Sequence, residues 1–260
     1  MKLHVETCGA GENLVLLHGW GMHGGVWGGV KGELARHFRL HVVDLPGYGL
    51  SAACVPYTLD RLVALVATAL PQQSHLCGWS LGGLVALEVA RRFPEKVAHL
   101  VLVASTPCFA RREDWLCATA AETLQEFAAA LESDYEGTLK RFLALQARGD
   151  EAAKGVLRAL RDGLFARGRP AVEALRGGLE ILAATDLRGQ LGQPGYTGYP
   201  STLIVHGDRD LLTPLPAAQW LANHLPGARL EVFHGAAHAP FLSHPAEFVE
   251  TVKNYLLAYG

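Results

Sequence analysis

Short apolar runs of strand length recur along the chain, and helical patterns separate most of them. The runs that we predict as strands span residues 14–17, 40–43, 75–77, 100–104, 202–205 and 230–233. Residues 59–70 and 84–93 instead have apolar side chains at helical spacing. Because strands that alternate with helices pair in parallel and are covered on both faces, the sequence predicts an α/β fold with a mostly parallel central sheet.

This alternation stops between about residues 109 and 186, where the pattern is helical and shows no convincing strand. A helical insertion after a strand of a parallel sheet lies over the carboxyl ends of the strands, where such folds place their sites. We expect one domain of 260 residues, with a core over about 1–108 and 187–260 and a helical cap over about 109–186. The glycine- and proline-rich stretch 189–199 predicts a flexible return to the sheet.

Composition narrows the class of protein. With 23 basic and 25 acidic residues the formal charge is −2, which favours neither nucleic acid nor an anionic membrane as a partner. The early apolar run 14–17 is too short to span a bilayer, and the first residues lack the apolar region of a signal peptide. Five cysteines without a CxxC pair fit reduced thiols. We therefore expect a cytoplasmic globular protein.

One serine stands in a turn between a predicted strand and a predicted helix, in Gly78-Trp79-Ser80-Leu81-Gly82. The two glycines remove side chains where strand and helix crowd each other, so that Ser80 can adopt a strained conformation and expose its hydroxyl. A G-x-S-x-G pattern alone arises easily by chance, but its position between strand and helix predicts a nucleophile. The alternative is a glycine-rich turn with an incidental serine.

A serine nucleophile needs a base and a carboxylate that orients the base. Among 12 histidines, His238 is the best candidate, because it follows the last predicted strand in a loop of small residues. We expect His234 at the end of that strand and His244 at the start of the last helix. The acid follows an earlier strand, where we favour Asp210 and expect Asp208 to stabilise the turn.

The oxyanion that forms during attack on a carbonyl group needs N–H donors already in place. We assign one to the backbone of Leu81, after the nucleophile, and the other to Trp20 in the loop His18-Gly19-Trp20-Gly21. The Trp20 side chain is expected to be a core anchor or, beside Trp79, the wall of an acyl pocket, and the two roles are compatible. We see no cluster of metal-ligating residues and no phosphate-binding loop, so we expect neither a metal nor a cofactor.

Several of these residues stand in motifs of one known family. The motifs are His18-Gly19, Asp44-Leu45-Pro46-Gly47-Tyr48-Gly49 with Ser51, the turn at Ser80, Asp210 with Pro214, and His238. Together they resemble the α/β-hydrolase superfamily, and the resemblance covers nearly the whole chain. It implies a hydrolase with a Ser-His-Asp triad, in which residues 44–51 form a tight turn near the site.

Six stretches are similar to a narrower family. They are Leu-Leu-His-Gly-Trp-Gly (16–21), Gly-Trp-Ser-Leu-Gly-Gly-Leu-Val-Ala (78–86), Val-Ala-Ser-Thr-Pro-Cys-Phe (103–109), Arg-Phe-Leu-Ala-Leu-Gln (141–146), Gly-Gly-Leu-Glu-Ile-Leu (177–182) and Ala-Ala-His-Ala-Pro-Phe (236–241). They resemble the carboxylesterases of the biotin pathway that hydrolyse the methyl ester of pimeloyl-acyl-carrier protein. The cap stretches matter most, because caps vary among hydrolases that share a triad.

This resemblance implies a substrate site, a partner and an assembly state. The expected substrate contacts are Trp20, Ser80, Leu81, Phe142, Leu143, Ala144, Leu145, Gln146 and His238. The expected partner is an acyl carrier protein that carries a pimeloyl methyl ester, and we expect a monomer that binds neither nucleic acid nor membrane. Phe142 is expected either to touch the acyl chain where it enters or simply to pack inside the cap.

The cap also has a charge pattern of its own. Residues 137–176 include nine basic and four acidic side chains. On a helix, Lys154, Arg158 and Arg161 share one face, while Leu157, Leu160 and Leu164 share another. Charge alone favours a solvated helix face. With the family resemblance, docking of an acidic carrier protein on these residues and Arg141 becomes the better interpretation.

Three hypotheses for function remain. The first is the carrier-protein-linked methyl esterase, and the second is another serine hydrolase of this fold that acts on small esters, thioesters or carbon–carbon bonds. The basic face of the cap distinguishes these two. The third is a non-catalytic binding protein, but such proteins have usually lost a triad member, whereas Ser80, Asp210 and His238 are all present.

Overall fold

The computed structural model describes residues 1–191 and 198–258. Within these residues one sheet contains the strands β1 (Val5–Cys8), β2 (Asn13–Leu17), β3 (Arg39–Val43), β4 (Ser74–Trp79), β5 (Val97–Val103), β6 (Ser201–Gly207) and β7 (Arg229–Phe233). Their order across the sheet is β1-β3-β2-β4-β5-β6-β7. Only β1 runs antiparallel to its neighbour, so the described strands confirm the predicted mostly parallel sheet.

Each of the six predicted strands overlaps an observed one, whereas β1 was not predicted. Its four residues, Val-Glu-Thr-Cys, are only partly buried and too few to show a clear alternation. β1 pairs with β3, with Val5 opposite Val43, and covers that edge of the sheet. The central strand β4 is buried along its whole length, as expected for a parallel strand with helices on both faces.

The described helices are α1 (Gly28–Leu34), α2 (Leu59–Ala69), α3 (Leu81–Arg92), α4 (Ala121–Ser133), α5 (Tyr135–Ala147), α6 (Ala153–Gly163), α7 (Val172–Ala184), α8 (Leu215–His224), α9 (Pro240–Ser243) and α10 (Pro245–Leu257). Local sequence explains several ends. The Thr58 side chain accepts a hydrogen bond from Arg61 N–H and so caps α2. Proline begins both α9 and α10.

Helices α4 to α7 lie between β5 and β6, and the described residues between these strands form isolated bridges but no strand of the sheet. We call residues 109–186 the cap; its exact division from the core stays a prediction. α4 packs against α5 and α7, and α5 packs against α6. Some of the apolar side chains of α5 and α6 are buried, and in α6 these are Val156 and Leu160.

The hydrophobic core lies between the sheet and the helices, and its largest fully buried side chains include Trp20, Trp27 and Trp79. Among the described residues, no helix combines the length and the apolar character needed to cross a membrane. The predicted return segment 189–199 lies largely outside the described residues, which do not include 192–197.

Candidate active site

Ser80 lies between the end of β4 and the start of α3, with φ +56° and ψ −120°. A positive φ is rare for a residue with a side chain and is maintained only where the surroundings hold it. Ser80 N–H donates to the carbonyl of Val103 (2.9 Å), and the Ser105 hydroxyl donates to the carbonyl of Ser80 (3.1 Å). Both partners follow or end β5, so the neighbouring strand fixes the turn.

The glycines around Ser80 are required by close backbone contacts. A Cβ atom on Gly78 would lie 2.3 Å from the carbonyl oxygen of Gly82. A Cβ atom on Gly82 would lie 2.5 Å from the carbonyl oxygen of His18, at the end of β2. The first turn of α3 can therefore pack directly against β2 and β4, which leaves the Ser80 side chain at the carboxyl ends of the strands.

Three side chains from separate loops meet in a buried row. Ser80 Oγ lies 2.9 Å from His238 Nε2, and His238 Nδ1 lies 2.8 Å from Asp210 Oδ2. The rival histidines lie elsewhere: His234 is exposed with its Nδ1 2.9 Å from Asp208, and His244 directly precedes α10. Hydroxyl, imidazole and carboxylate in this order form the arrangement that activates a serine nucleophile.

Asp210 is held as an acceptor. Its Oδ1 accepts hydrogen bonds from the backbone N–H groups of Leu212 (2.8 Å) and Thr213 (3.0 Å), and its Oδ2 accepts from the Thr213 hydroxyl (2.6 Å). Burial alone raises the pKa of Asp210, but the charge and hydrogen bond of His238 and further polar contacts lower it below its ordinary value. The ionised carboxylate accepts from Nδ1–H, which leaves Nε2 free to accept the Ser80 proton.

The loop after β2 lies directly beside the serine. A Cβ atom on Gly19 would lie 3.1 Å from Ser80 Cβ. Met22 N–H donates to the carbonyl of Gly19 (3.4 Å) across a tight turn in which Gly21 has φ +78°. Leu81 is the first residue of α3, so its N–H lacks the carbonyl partner that an interior helical N–H has. Both segments therefore lie beside Ser80, and the assignment of the two N–H donors stays a prediction.

His18 holds this loop as a neutral residue. Its Nδ1–H donates to the carbonyl of Gly19 (2.8 Å), and its Nε2 accepts from Leu45 N–H (2.9 Å). These bonds assign the tautomer, and burial lowers the pKa of His18 to about 4. His18 thus connects the loop after β2 to the loop after β3, a role that the motif did not predict.

The two tryptophans next to Ser80 are tied to other parts of the site. The indole N–H of Trp20 donates to the carbonyl of Leu175 in α7 (2.8 Å), and its ring centroid lies 4.5 Å from that of Phe142. The indole N–H of Trp79 donates to the carbonyl of His238 (2.7 Å). Trp20 therefore lies against the cap, whereas Trp79 supports the histidine loop.

Helix α5 turns one face toward Trp20 and His238. Phe142, Leu143 and Gln146 are buried, whereas Ala144 is exposed and Leu145 is half-buried. Within the described part of the chain, neither polar atom of the Gln146 side chain has a hydrogen-bond partner, while its backbone carbonyl accepts from His238 N–H (3.3 Å). The structure thus separates the predicted contacts: Phe142, Leu143 and Gln146 lie inside, and Ala144 and Leu145 lie outward.

Leu145 lines a groove of about 370 Å³ on the outside of the cap, together with Phe127 and Arg141. The other predicted basic residues are exposed on α6, where Arg158 forms an ion pair with Asp162 (3.7 Å). Lys154 and Arg161 have no carboxylate within ion-pair distance among residues 1–191 and 198–258. Two strong positive charges on this surface are therefore not neutralised by a neighbour.

Arg167 was counted among the basic residues of the cap, but its side chain is largely buried against the core. It forms ion pairs with Asp44 (3.3 Å) and with Glu6, which also contacts Lys31. The hydrogen bonds from Leu50 and Gly24 N–H, together with nearby positive charges, outweigh burial and lower the pKa of Asp44. In the sequence, the only sign that the core needs a cationic partner is Asp44 in the 44–51 motif.

The fold and the buried Ser-His-Asp row define a class of protein. A model of the alpha/beta hydrolase family matches residues 14–251, and the chain belongs to that family. Solved structures agree: an esterase from Exiguobacterium antarcticum superposes with a TM-score of 0.85 at 25% identity, covering 98% of this chain and 95% of that one.

Similarity to curated proteins indicates a narrower group within this family. A protein from Nitrosomonas europaea named pimeloyl-acyl-carrier protein methyl ester esterase is 49% identical over 249 residues, which cover 95% of this chain and 97% of the relative. A protein of the same name from Chromobacterium violaceum is 44% identical, with 98% of each chain covered. The chain is thus similar over nearly its full length, including the cap, to esterases of one stated substrate.

Proposed function

We propose that this protein is a carboxylic ester hydrolase that cleaves the methyl ester of pimeloyl-acyl-carrier protein and releases methanol. The observation that carries the proposal is the buried hydrogen-bonded row of Ser80, His238 and Asp210, in a chain similar throughout to relatives of that name. An acyl carrier protein is accordingly the partner, and the reaction belongs to biotin synthesis.

The geometry supports an acyl-enzyme mechanism. His238 Nε2 takes the proton of the Ser80 hydroxyl while Oγ attacks the ester carbonyl carbon, and Asp210 stabilises the imidazolium that forms. The tetrahedral intermediate collapses, and methanol leaves with the proton from His238. Water then attacks the acyl-enzyme with the same base, which releases the carboxylate on the carrier protein and restores Ser80.

The oxyanion of each tetrahedral intermediate is assigned to the backbone N–H groups of Trp20 and Leu81. Leu81 supplies a helix N-terminus, where unpaired N–H groups and the helix dipole favour negative charge. One such donor is typically worth about 10²–10³ in kcat, because it is oriented before the charge develops. Gly19 beside Ser80 allows the loop that contains Trp20 to approach closely enough.

The acyl chain is assigned to the space between the serine and the buried face of α5. Trp20, Phe142 and Leu143 supply apolar surface, which suits the methylene groups of a pimeloyl chain. Gln146 supplies an unpartnered amide for a polar atom of the substrate. Ala144 and Leu145 lie on the outer face of α5, so their contacts are assigned to the carrier protein.

The carrier protein is assigned to the exposed cations of the cap. Lys154, Arg158 and Arg161 follow one another on the outer face of α6, and Arg141 borders the groove on α4 and α5. Exposed charges of one sign steer an acidic partner and set its orientation more than they add affinity. The five free cysteines are consistent with a reducing cytoplasm, which is where we place the reaction, carried out by a monomer.

The test compares two substrates and three variants. Hydrolysis of pimeloyl-acyl-carrier protein methyl ester and of p-nitrophenyl acetate is measured for wild type, for Ser80→Ala and for Lys154→Glu/Arg158→Glu/Arg161→Glu. The matched control, Arg36→Glu/Arg39→Glu/Arg61→Glu, makes the same charge change at exposed positions of the core. We expect Ser80→Ala to be inactive on both substrates, and the cap variant to lose activity only on the carrier-linked ester.

Other outcomes would replace parts of the proposal. If wild type cleaves the small ester but ignores the carrier-linked one, the protein is another serine hydrolase of this family. If the cap and control variants lose the same activity, the face on α6 is only solvated. If a fluorophosphonate probe fails to label Ser80, the site is not a serine hydrolase site.

A further inference from the structure

The turn between α5 and α6 is bonded to the loop that contains His238. We call residues 146–151 the cap turn and residues 235–238 the histidine loop. Glu151 N–H donates to the carbonyl of Gly235 (2.9 Å), and His238 N–H donates to the carbonyl of Gln146 (3.3 Å). The cap turn therefore contacts the histidine loop at both of its ends.

Asp150 lies at the centre of this contact, and its side chain is buried. Its Oδ1 accepts a hydrogen bond from Ala152 N–H (2.7 Å), two residues ahead, which forms a local turn before α6. Its Oδ2 accepts from Ala237 N–H (2.8 Å), 87 residues away along the chain. The second bond connects a cap carboxylate to the residue directly before His238.

These bonds hold the histidine backbone on successive sides. Asp150 binds the N–H of Ala237, Gln146 binds the N–H of His238, and Trp79 donates to the carbonyl of His238 (2.7 Å). Only one of these partners, Trp79, belongs to the core. Hydrogen bonds to a carboxylate are roughly twice as strong as neutral ones, so the bond that Asp150 accepts from Ala237 is the strongest of the three.

We infer that Asp150 is a positioning residue for the base, so that the cap completes the geometry of the triad as well as covering it. The inference rests on the proposed function in one respect, that His238 is the base for Ser80. A reacting group misplaced by about 1 Å costs about 100-fold in rate. Loss of the bond to Ala237 therefore lowers the rate of the chemical step and leaves binding of a small substrate unchanged.

The competing explanation is that Asp150 only forms the local turn before α6. Two substitutions separate the roles. Asp150→Ser keeps a short side-chain acceptor for Ala152 N–H but cannot reach Ala237, whereas Asp150→Ala removes both bonds. The matched control is Asp60→Asn, which removes an aspartate charge in α2, outside the cap, where the carboxylate is exposed and pairs with Arg92 (2.6 Å).

The experiment measures kcat and KM for p-nitrophenyl acetate, the rate of fluorophosphonate labelling of Ser80, and the melting temperature of each variant. We expect Asp150→Ser and Asp150→Ala to lose about 10- to 100-fold in kcat and in labelling rate, with KM within about twofold of wild type. Asp60→Asn is expected to match wild type. The melting temperature is expected to fall further for Asp150→Ala than for Asp150→Ser.

Wild-type kcat in Asp150→Ser, or a loss confined to KM, would overturn the inference. If the Asp150 variants do not fold, hydrogen exchange of the wild-type Ala237 amide decides: we expect exchange only by global unfolding, and fast local exchange would overturn the inference. Failure of the premise that His238 activates Ser80 is a separate result, because wild type would then react with neither the probe nor p-nitrophenyl acetate, while the exchange of Ala237 stays measurable.

Discussion

Replacing Gly78 by alanine would test how closely the strand and helix around Ser80 must pack. The added Cβ atom would lie 2.3 Å from the carbonyl oxygen of Gly82 and 2.7 Å from the Cα of Gly83. A carbon atom and a carbonyl oxygen normally stay about 3.3 Å apart, so β4 and α3 would have to separate by about 1 Å. Both contacts are to backbone, so no side-chain rotation relieves them.

The loss of stability follows from this separation of β4 and α3. Overpacking a well-packed core typically costs about 1–3 kcal/mol, and we expect about 3 kcal/mol because only backbone can yield. In a chain of this size that corresponds to a fall of about 6–12 °C in melting temperature. The same movement displaces Ser80 from His238 Nε2, which should reduce its reaction rate by about 100-fold.

The assay combines urea unfolding with fluorophosphonate labelling of Ser80, and Gly32→Ala is its control. Gly32 lies in α1, where an added Cβ would meet no described residue within 4 Å apart from its own helix backbone and chain neighbours, so alanine there should stabilise the protein by about 0.5–1 kcal/mol. A Gly78→Ala protein that unfolds at the wild-type urea concentration and labels at the wild-type rate would refute the reasoning.

Three further predictions concern buried polar groups. Lowering the pH from about 7.5 to 5.5 should reduce the free energy of unfolding by about 1 kcal/mol. Burial lowers the pKa of His18 to about 4 from an ordinary value of 6.5, so only the unfolded state takes up the proton in this range. A urea midpoint that is no lower at about pH 5.5 would contradict this. Arg167→Met should lower the free energy of unfolding by about 3 kcal/mol, because it leaves the buried Asp44 without its cation. Arg169→Met, at an exposed ion pair, should lower it by about 0.5 kcal/mol or less. Equal urea midpoints for the two variants would argue against this difference. Gln146→Leu should stabilise the protein by about 1 kcal/mol, because it removes a buried amide that has no hydrogen-bond partner among the described residues. Since that amide is assigned to the substrate, the variant should also raise KM for the carrier-linked ester about fivefold. A less stable variant with unchanged KM would rule this out.

Much of the fold was predictable because its signals are local. Strand-length apolar runs and helical spacing located six of the seven described strands, and β1 was missed because its four residues, three half-buried and one exposed, are too few to show a clear alternation. The side chains that the motifs singled out, Ser80, Asp210 and His238, do meet in the structure. Their chain order and their positions after strands were sufficient to choose them over nearby aspartates and histidines.

Other parts of the site had no such local signal. Arg167 was indistinguishable in sequence from the exposed cations of the cap, and only the approach of the cap to Asp44 and Glu6 buries it. Asp150 was one of four acids in a basic segment, yet it accepts a hydrogen bond from the loop of His238, 87 residues away. Pairings across such distances depend on how the elements pack.

The sequence by itself determined the alternation of strands and helices, the turn at Ser80 and the three side chains proposed to react, because these depend on backbone preferences and on neighbouring residues. The tertiary structure alone decided how closely Asp210, His238 and Ser80 approach one another, which face of α5 is buried, and which cap residues are bonded to the core. A residue in the cap becomes part of the site only through burial and hydrogen bonding to segments distant in sequence, and no local pattern encodes those contacts.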